Sequence, residues 1–505
     1  MHSRMLNNAH AATNQHNNTP IMLSLLAILN IFFVSFADKP VQATPALSPR
    51  AVEQRAKWNI AIDDLDYPVH AAYLDSLRQH GAKIHHTSRW MNGATCSMTD
   101  EQAAAVAQLP FVTAVEATRL DRQGSTVSKR RSMPAEAMLT NHALNELPTD
   151  AQLALYNLQP LHELGYHGQG ILITVCDGGF TNANTLGCFR QSQELGHFDF
   201  TDDITDMYGY TGVHGTMCLS AISGKTEQYT GAATAADYYL MRSEEAETES
   251  PKEMDNLVAA LEKADSLGTN IFTVSLGYAM FDNDEWTLTY DALDGKTTRA
   301  SRAAHIAARK GMLVCAAAGN DGDKSWERIS VPADADSILT VGAVNVQGEI
   351  GSFSSHGPSA DNRVKPDVCA VGVSAALIDT NGEIVYRHGT SFATPLIAGL
   401  AATLWSALPD ENAMKIRERI IRSADRYQNP DARQYGYGIP DAYAAYQGRT
   451  TGIDRVVESQ KSIVESTKVL RDGQLLIIRG GKMYDTMGRM VEKPTPAPSL
   501  KGGEN

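Results

Sequence analysis

The sequence predicts an α/β protein built on a doubly wound parallel sheet, with a small α+β domain before it and a small β module after it. Buried-looking apolar runs alternate with helical patterns from 150 to 448, as in a parallel sheet covered on both faces. The clearest runs are ILITVC (171–176), NIFTVSL (270–276), MLVCAAA (312–318) and ILTVGAV (338–344). Open α/β sheets bind ligands at the carboxyl ends of their strands, so we expect the chemistry at that edge.

The composition is that of a folded, acidic protein. Of the 505 residues, 43% are hydrophobic and 20% are charged, which excludes wholesale disorder. The formal net charge is −14, and no local basic patch offsets it, so we expect no nucleic-acid partner. The 6 cysteines are too dispersed for a disulfide scaffold or a CxxC metal site, and at most they form isolated bridges.

An apolar run, IMLSLLAILNIFFVSFA, occupies 21–37. It is short for a bilayer span and is followed by small residues, so we interpret 1–43 as a signal-peptide region. Cleavage after Ala37 or after Ala43 satisfies the small-residue rule. An N-terminal anchor helix is the alternative interpretation.

Residues 44–131 are predicted to form the small α+β domain and a linker. The pattern indicates strands at 58–62, 83–87, 94–98 and 111–116, a helix at 71–80, and a second helix that opens with the capping box Thr99 to Gln102. The polar stretch GSTVSKRRS (124–132) follows, with the basic run 129–131. It is either a solvated linker or an exposed cleavage site that makes the preceding domain removable.

Three elements of the central domain carry groups suited to nucleophilic catalysis. Asp177 ends the first strand ahead of two glycines, His214 opens a run of small residues that predicts a packed helix, and Ser391 starts an apolar helix. Unpaired N–H groups at a helix start favour an anion, such as the oxygen of an attacked carbonyl. Taken singly, each residue has a plainer interpretation as a turn aspartate, a structural histidine or an N-cap serine.

Together the three elements resemble the subtilisin-like serine peptidases, or subtilases. The resemblance covers about 150–445 and is carried by the motifs HGT (214–216) and GTSFATP (389–395), in the chain order Asp, His, Ser. It implies a subtilisin-like fold and an endopeptidase in which Ser391 is the nucleophile, His214 the base and Asp177 the carboxylate that orients the base.

The resemblance also implies a substrate-binding surface. Asn320, at the end of AAAGN (316–320), is expected to donate to the oxyanion together with the Ser391 N–H. The pocket walls are expected to comprise Ser275, Leu276, Gly277, Ala317, Ala318 and Gly319. The floor is expected in the loop 321–331, without an assigned residue.

Some residues depart from the family pattern. Gly178 follows the acid where subtilases usually carry Ser or Thr, so Asp177 should depend on backbone donors. His388 precedes the GTS motif, and we interpret it as part of the chain entering the helix rather than as the base. Cys176 and Cys218 are interpreted as small buried hydrophobes rather than nucleophiles.

Other catalytic classes lack their motifs. The sequence has no GxSxG elbow and no HExxH, so it indicates neither an α/β-hydrolase esterase nor a zinc protease. No cofactor is required for the expected chemistry and no metal ligand is assigned. Structural calcium, frequent in the family, stays open because no contiguous acidic loop assigns ligands.

The C-terminal end is predicted to contain a linker (449–470), a small β module (471–492) and a flexible tail (493–505). Segments 475–479 and 482–484 flank Gly480-Gly481, a two-residue hairpin signal. The module resembles the sorting domain of the type IX secretion system. An ordinary accessory hairpin is the alternative.

The sequence therefore predicts a secreted or outer-membrane-surface serine endopeptidase that acts on polypeptide substrates. Its expected partners include its own prodomain (44–131), as an intramolecular inhibitor, and the type IX secretion machinery. The alternatives are an inactive subtilase-fold protein for binding or adhesion, and a maturation protease with narrow specificity.

Overall fold

The structure is a computed structural model that describes residues 29–39, 44–120, 147–201, 206–209, 212–245 and 248–451, and four strands between 467 and 491. The predicted cleavage stretch 124–132 lies outside the described residues. No described helix combines the length and the apolar character that crossing a bilayer requires.

The N-terminal domain is a four-stranded antiparallel sheet in the order β2–β3–β1–β4. Its elements are β1 (Asn30–Phe36), α1 (Pro49–Lys57), α2 (Ala71–Gln79), β2 (Lys83–Ser88), β3 (Gly93–Met98), α3 (Asp100–Val106) and β4 (Val112–Arg119). α2 and α3 pack on the sheet through Leu77 and Val106. The predicted capping box is confirmed, since Gln102 N donates to Thr99 Oγ1 at 3.2 Å and Thr99 N to Gln102 Oε1 at 2.9 Å.

The predicted boundary of the signal-peptide region is wrong. β1 lies inside this sheet, where Phe33 is paired with Thr95 of β3 and Val34 with Val115 of β4. Cleavage after Ala37 or Ala43 would therefore remove a central strand, so the domain extends at least to residue 30. An apolar run fits a leader and a core strand equally well, which is why the pattern misled. Residues 1–28 lie outside the described part of the chain.

The strand predicted at 58–62 is also absent, because that stretch is a turn and extended loop after α1. Ser48 caps α1 by accepting from Ala51 N at 3.2 Å, and Pro49 occupies the first helical turn. Trp58, Ile60 and Ile62 alternate as in a strand, but Ile62 is 40% exposed. The alternation therefore does not face a core.

The central domain contains the predicted parallel sheet. Its seven strands lie in the order β11–β10–β9–β8–β5–β7–β6, and every pair is parallel. The strands are β5 (Leu172–Asp177), β6 (Glu194–Asp199), β7 (Asp237–Arg242), β8 (Ile271–Val274), β9 (Leu313–Ala317), β10 (Leu339–Val344) and β11 (Val368–Val371). The helices are α4 (Asp150–Ala154), α5 (Gln159–Glu163), α6 (Val213–Ser223), α7 (Pro251–Leu267), α8 (Arg299–Arg309), α9 (Thr390–Ala407), α10 (Ala413–Arg422) and α11 (Ala442–Tyr446), and a hairpin, β12 (Ala375–Ile378) and β13 (Ile384–Arg387), precedes α9.

Two hydrophobic cores lie on the two faces of the sheet. Alternate residues of β9 point to opposite faces, so Cys315 packs with α6 and α9 while Val314 packs with α7 and α8. This double covering explains why the strands are continuous apolar runs rather than alternating ones. The predicted doubly wound architecture is confirmed.

The N-terminal domain packs on α7 through buried ion pairs, which we call the interface cluster: Arg55, Arg89, Glu262 and Asp265. Asp265 accepts from Arg55 Nη2 at 2.7 and 2.9 Å and from Arg89 Nη2 at 2.8 Å. Glu262 accepts from the backbone N–H of Arg89 at 2.9 Å. All four side chains are at most 8% exposed. On α8, Arg299 lies over the Phe33 ring of β1, at 4.4 Å from its centroid.

The C-terminal strands β14 (Thr467–Arg471), β15 (Gln474–Arg479), β16 (Lys482–Tyr484) and β17 (Met490–Val491) form an antiparallel sheet in chain order. The predicted hairpin strands are confirmed, with Ile478 paired to Met483 across the Gly480-Gly481 position. β14 starts at Thr467, inside the segment predicted as a linker.

Candidate active site

Asp177 and His214 meet where β5 ends and α6 begins. His214 Nδ1 lies 2.8 Å from Asp177 Oδ1 and 2.9 Å from Oδ2, and the aspartate is 1% exposed. Gly178 N also donates to Oδ1, at 2.8 Å. This N–H belongs to the glycine that stands where the family pattern has a Ser or Thr hydroxyl. The carboxylate is thus contacted by a backbone donor, as expected from the sequence.

Glycines bring the start of α6 against the turn that carries Asp177. A Cβ on Gly215 would lie 2.3 Å from the Gly179 carbonyl oxygen and 2.9 Å from Asp177 Cβ. A Cβ on Gly212 would lie 2.2 Å from Gly179 Cα. The glycine of the HGT motif therefore sets how closely the histidine approaches the acid.

The charge of His214 is governed by its surroundings. Burial opposes the imidazolium, but the carboxylate of Asp177 outweighs that effect and holds the pKa of His214 well above its usual value. Burial also disfavours the charged form of the nearby Cys218, and for a thiol this raises the pKa. Its Sγ is 3.8 Å from His214 Nδ1. The thiol therefore stays neutral while the imidazole can take a proton.

Ser391 is the second residue of α9, at the same edge of the sheet. Its hydroxyl donates to the Ser275 carbonyl at 3.0 Å, and Ser275 Oγ donates to the Ser391 carbonyl at 2.8 Å. The ring of Phe392, the next residue, lies 5.3 Å from that of His214 between centroids. Cys218 connects the two regions, since its Sγ lies 3.4 Å from the Ser391 carbonyl oxygen. The fold thus brings residues 177, 214 and 391 to one place.

Asn320 is anchored on the residue before the serine. Its Oδ1 accepts from Thr390 N at 2.9 Å and from Thr390 Oγ1 at 3.0 Å. Thr390 Oγ1 also accepts from Gly319 N at 3.2 Å. These bonds use the amide oxygen and leave the Nδ2 donors for another acceptor. Sequence reasoning assigned no role to Thr390, although it stands within the GTS motif.

The predicted pocket walls continue from β8 and β9, which lie side by side in the sheet. Ser330, which the sequence did not single out, spans the two walls, since its N–H donates to the Ala318 carbonyl at 3.1 Å. A Cβ on Gly277 would lie 2.1 Å from Ser330 Oγ, and a Cβ on Gly319 would lie 3.1 Å from it. Only the three-dimensional arrangement reveals this residue.

The predicted wall residues differ in how far their side chains are exposed. Leu276 and Ala318 belong to the core against α7 and α8, with exposed fractions of 1% and 0%. Ala317 is 4% exposed. Gly277 and Gly319 are half-buried. The walls therefore offer backbone rather than side chains.

Other candidate side chains are occupied elsewhere. His388 Nδ1 accepts from Ser374 N at 3.2 Å, which agrees with its exclusion as the base. All six cysteines are buried and free, so the isolated bridges that the sequence allowed do not form. Burial raises the pKa of Cys188 to about 11 and that of Cys96 to about 12. The interpretation of Cys176 and Cys218 as small buried hydrophobes rather than nucleophiles fits this pattern.

Ligand atoms of Asp177, His214 and Cys218 lie within 4.8 Å of one another, which is a spacing that could hold a metal ion. His214 Nδ1, however, is the atom bonded to both carboxylate oxygens. An Asp–His acid–base pair therefore accounts for this geometry without a metal.

Comparison with known proteins gives the family. The model of the Subtilase family matches residues 168–438, and that of the peptidase S8 propeptide domain of Bacteroidota matches 31–133. The propeptide match begins within β1, in agreement with the corrected domain boundary.

Two curated relatives align along most of the chain. Subtilisin E of Bacillus subtilis is 25% identical over 429 residues, covering 84% of this chain and 97% of the relative. Subtilisin J of Geobacillus stearothermophilus is 24% identical over 427 residues, with the same coverage. Among solved structures, MycP1 from the ESX-1 type VII secretion system has a TM-score of 0.50 at 20% identity, covering 63% of this chain and 91% of that one, and shares the fold. The chain therefore belongs to the subtilase family of serine endopeptidases, with an N-terminal propeptide domain.

Proposed function

We propose that this subtilase cleaves polypeptide substrates through an acyl-enzyme, with Ser391 as nucleophile, His214 as general base and Asp177 as the orienting carboxylate. The observation that carries the proposal is the contact of His214 Nδ1 with both oxygens of a buried aspartate, at 2.8 and 2.9 Å. This contact keeps the proton on Nδ1 and leaves Nε2 as the acceptor.

The reaction follows from these roles. Ser391 Oγ turns from the Ser275 carbonyl toward the substrate and loses its proton to His214 Nε2 as the bond to the carbonyl carbon forms. The imidazolium, stabilised by Asp177, then protonates the leaving amine. Water repeats the sequence on the acyl-enzyme and restores Ser391. Hydrogen bonds of this kind often align only in the substrate complex. The steps need no cofactor.

The oxyanion that forms needs donors at the start of α9. Asn320 Nδ2 and the Ser391 N–H fit this role, because Oδ1 of Asn320 is held by Thr390 and the first N–H groups of a helix have no partner within the helix. The helix dipole adds to the stabilisation of the negative charge.

The propeptide domain acts as an intramolecular inhibitor, held by the interface cluster on α7. We propose that the domain is removed by cleavage in 124–132, the stretch that contains the basic run 129–131. For localisation we propose secretion, with the antiparallel strands β14–β17 as a sorting module for the type IX machinery at the outer membrane. Deletion of 467–505 tests the module: intracellular or periplasmic retention supports it, and unchanged surface delivery indicates an accessory hairpin.

The test of the proposed activity uses the full chain and its Ser391→Ala variant. We expect the processed wild type to hydrolyse casein and the variant to be inactive, with mass spectrometry of the termini showing the processing site. A wild type that folds, is processed by an added protease and still hydrolyses no protein would favour the alternative, an inactive binding protein.

A further inference from the structure

His214 and Cys218 present a nitrogen and a sulfur to the same point beside Asp177. They stand four residues apart on α6, so their side chains lie on one face of the helix. Cys218 Sγ is 3.8 Å from His214 Nδ1, and the two carboxylate oxygens of Asp177 are 2.8 and 2.9 Å from the same nitrogen. Within the described part of the chain, these side chains form the one group of three His, Cys, Asp or Glu residues whose ligand atoms are spaced for a metal ion.

The spacing of the three ligand atoms is close to that of a tetrahedral zinc site. Zinc bonds of about 2.0 to 2.3 Å put neighbouring ligand atoms roughly 3.4 to 3.6 Å apart. An ion bound here would therefore shorten the Nδ1–Sγ distance by a few tenths of an ångström and lengthen the Nδ1–Oδ distances by roughly half an ångström. The side chain of His214 is 28% exposed, which gives the ion a way in and a water molecule a place as the fourth ligand.

The three donor atoms select one class of cation. A thiolate and an imidazole suit Zn²⁺ and related transition metals, whereas Ca²⁺ and Mg²⁺ prefer oxygen ligands. The thiol can lose its proton without leaving its neighbour unpaired, because the Ser391 carbonyl, 3.4 Å from Sγ, also accepts from Ser275 Oγ at 2.8 Å. That proton passes to water as the bond between zinc and sulfur forms.

We propose that Asp177, His214 and Cys218 form an inhibitory site for a divalent transition-metal cation of the Zn²⁺ type. The inhibition rests on the proposed function, because it takes His214 as the base. A cation bound to Nδ1 displaces the proton that this nitrogen donates to Asp177, and the neutral ring then carries its proton on Nε2. Nε2 is the atom that has to accept the proton of Ser391, so the bound cation leaves the nucleophile without a base.

The activity test titrates the processed enzyme with ZnCl₂. We expect kcat for a peptide substrate to fall while KM stays the same, and calcium-loaded EDTA, which removes zinc but not calcium, to restore the activity. CaCl₂ and MgCl₂ should not inhibit. Cys218→Ala should raise the half-inhibitory zinc concentration at least about 100-fold, because loss of even an outer-shell partner costs a metal site about 10- to 100-fold in affinity. This concentration depends neither on the folded fraction nor on the basal activity of a variant.

A second test measures binding without activity. The probe is Co²⁺, added to the Ser391→Ala chain after processing by an added protease. We expect one Co²⁺ per chain, with the near-ultraviolet absorption band of a thiolate bound to cobalt, and we expect the band to disappear when Cys218→Ala is added. Cys369→Ala is the matched control, because Cys369 is also buried and free but lies on β11, four strands from β5 in the sheet. Its loss should change neither the band nor the half-inhibitory concentration.

Wild-type activity that persists up to millimolar zinc would overturn this inference, and so would equal inhibition of the wild type and Cys218→Ala, or Co²⁺ that gives no thiolate band. Each of these results leaves the proposed function standing. If the Ser391→Ala chain binds Co²⁺ through Cys218 but the processed wild type hydrolyses no peptide, the proposed function and the inhibition are overturned, while the metal site itself is supported.

Discussion

The proposed catalytic centre, which contains Asp177 and His214, and the interface cluster both bury carboxylates, but the groups around those carboxylates differ. In the interface cluster Asp265 contacts two guanidinium groups, from Arg55 and Arg89, which stay charged at all working pH values. In the catalytic centre Asp177 contacts one imidazole, that of His214, which can gain or lose a proton. Permanent charges suit an interface that has to hold, and a titratable partner suits a site that has to react.

Changing the aspartate of one region should therefore impair only that region: Asp177 affects activity, and Asp265 affects propeptide binding. Asp177→Asn should lower kcat about 10⁴-fold, because His214 loses the carboxylate that fixes its tautomer and stabilises its charge. Binding of the propeptide domain should stay as in the wild type, since residue 177 is not part of the interface cluster. Steady-state kinetics and the amount of propeptide retained after processing measure the two effects. A loss of propeptide binding would contradict the separation.

Asn320→Ala tests whether the catalytic centre extends to the amide held by Thr390. We expect kcat to fall about 10²- to 10³-fold with little change in KM, because an oxyanion donor acts mainly in the transition state. Asn381→Ala is the control, since Asn381 lies exposed in a turn next to Asp379. An equal effect of both substitutions would remove Asn320 from the catalytic machinery.

Asp265→Asn is the counterpart on the interface side. It removes the carboxylate that Arg55 and Arg89 share, but Arg55 keeps Asp66 and Arg89 keeps Glu262. We therefore expect the loss of charged hydrogen bonds to cost about 2 kcal/mol and to weaken retention of the processed propeptide about 30-fold. The activity of the released enzyme should not change. The control Asp75→Asn breaks an exposed pair with Arg78, where the side chains are 64% and 56% exposed, and should change retention less than threefold or so.

The pH profile sharpens the contrast, because only the catalytic centre contains a partner that titrates near neutrality. The base acts when His214 is neutral, so kcat/KM should rise with pH through the pKa of His214, which Asp177 holds above the usual 6.5. In Asp177→Asn the rising limb should move to lower pH, because the charge that favours the imidazolium is gone. A limb below 6.5 in the wild type, or one that does not move in the variant, would contradict this assignment.

What could be predicted from the sequence differs between the same two regions. Asp177, His214 and Ser391 lie in short motifs next to strand ends and helix starts, so local pattern was enough to place them. The parallel strands were predictable because strands buried on both faces are continuously apolar. Because Gly178 has no hydroxyl, the sequence predicted that a backbone N–H would donate to Asp177, and the Gly178 N–H does so.

The interface cluster could not be predicted, because Glu262 and Asp265 have the spacing of an ordinary solvated helix face. β1 was missed because its apolar residues continue a run typical of a leader. Ser330 was missed because its position depends on hydrogen bonds to residues far away in the sequence. In each case the deciding contact joins segments that no local pattern relates.

The central claim is that Ser391 is a nucleophile activated by the Asp177–His214 pair. Its most direct test is covalent capture: the processed chain is treated with a serine-reactive phosphonate, and the adduct is located by peptide mass spectrometry. We predict one adduct, on Ser391, which forms much more slowly in Asp177→Asn. An adduct on the hydrogen-bonded neighbour Ser275 instead, or a folded, processed chain that forms none, would contradict the claim.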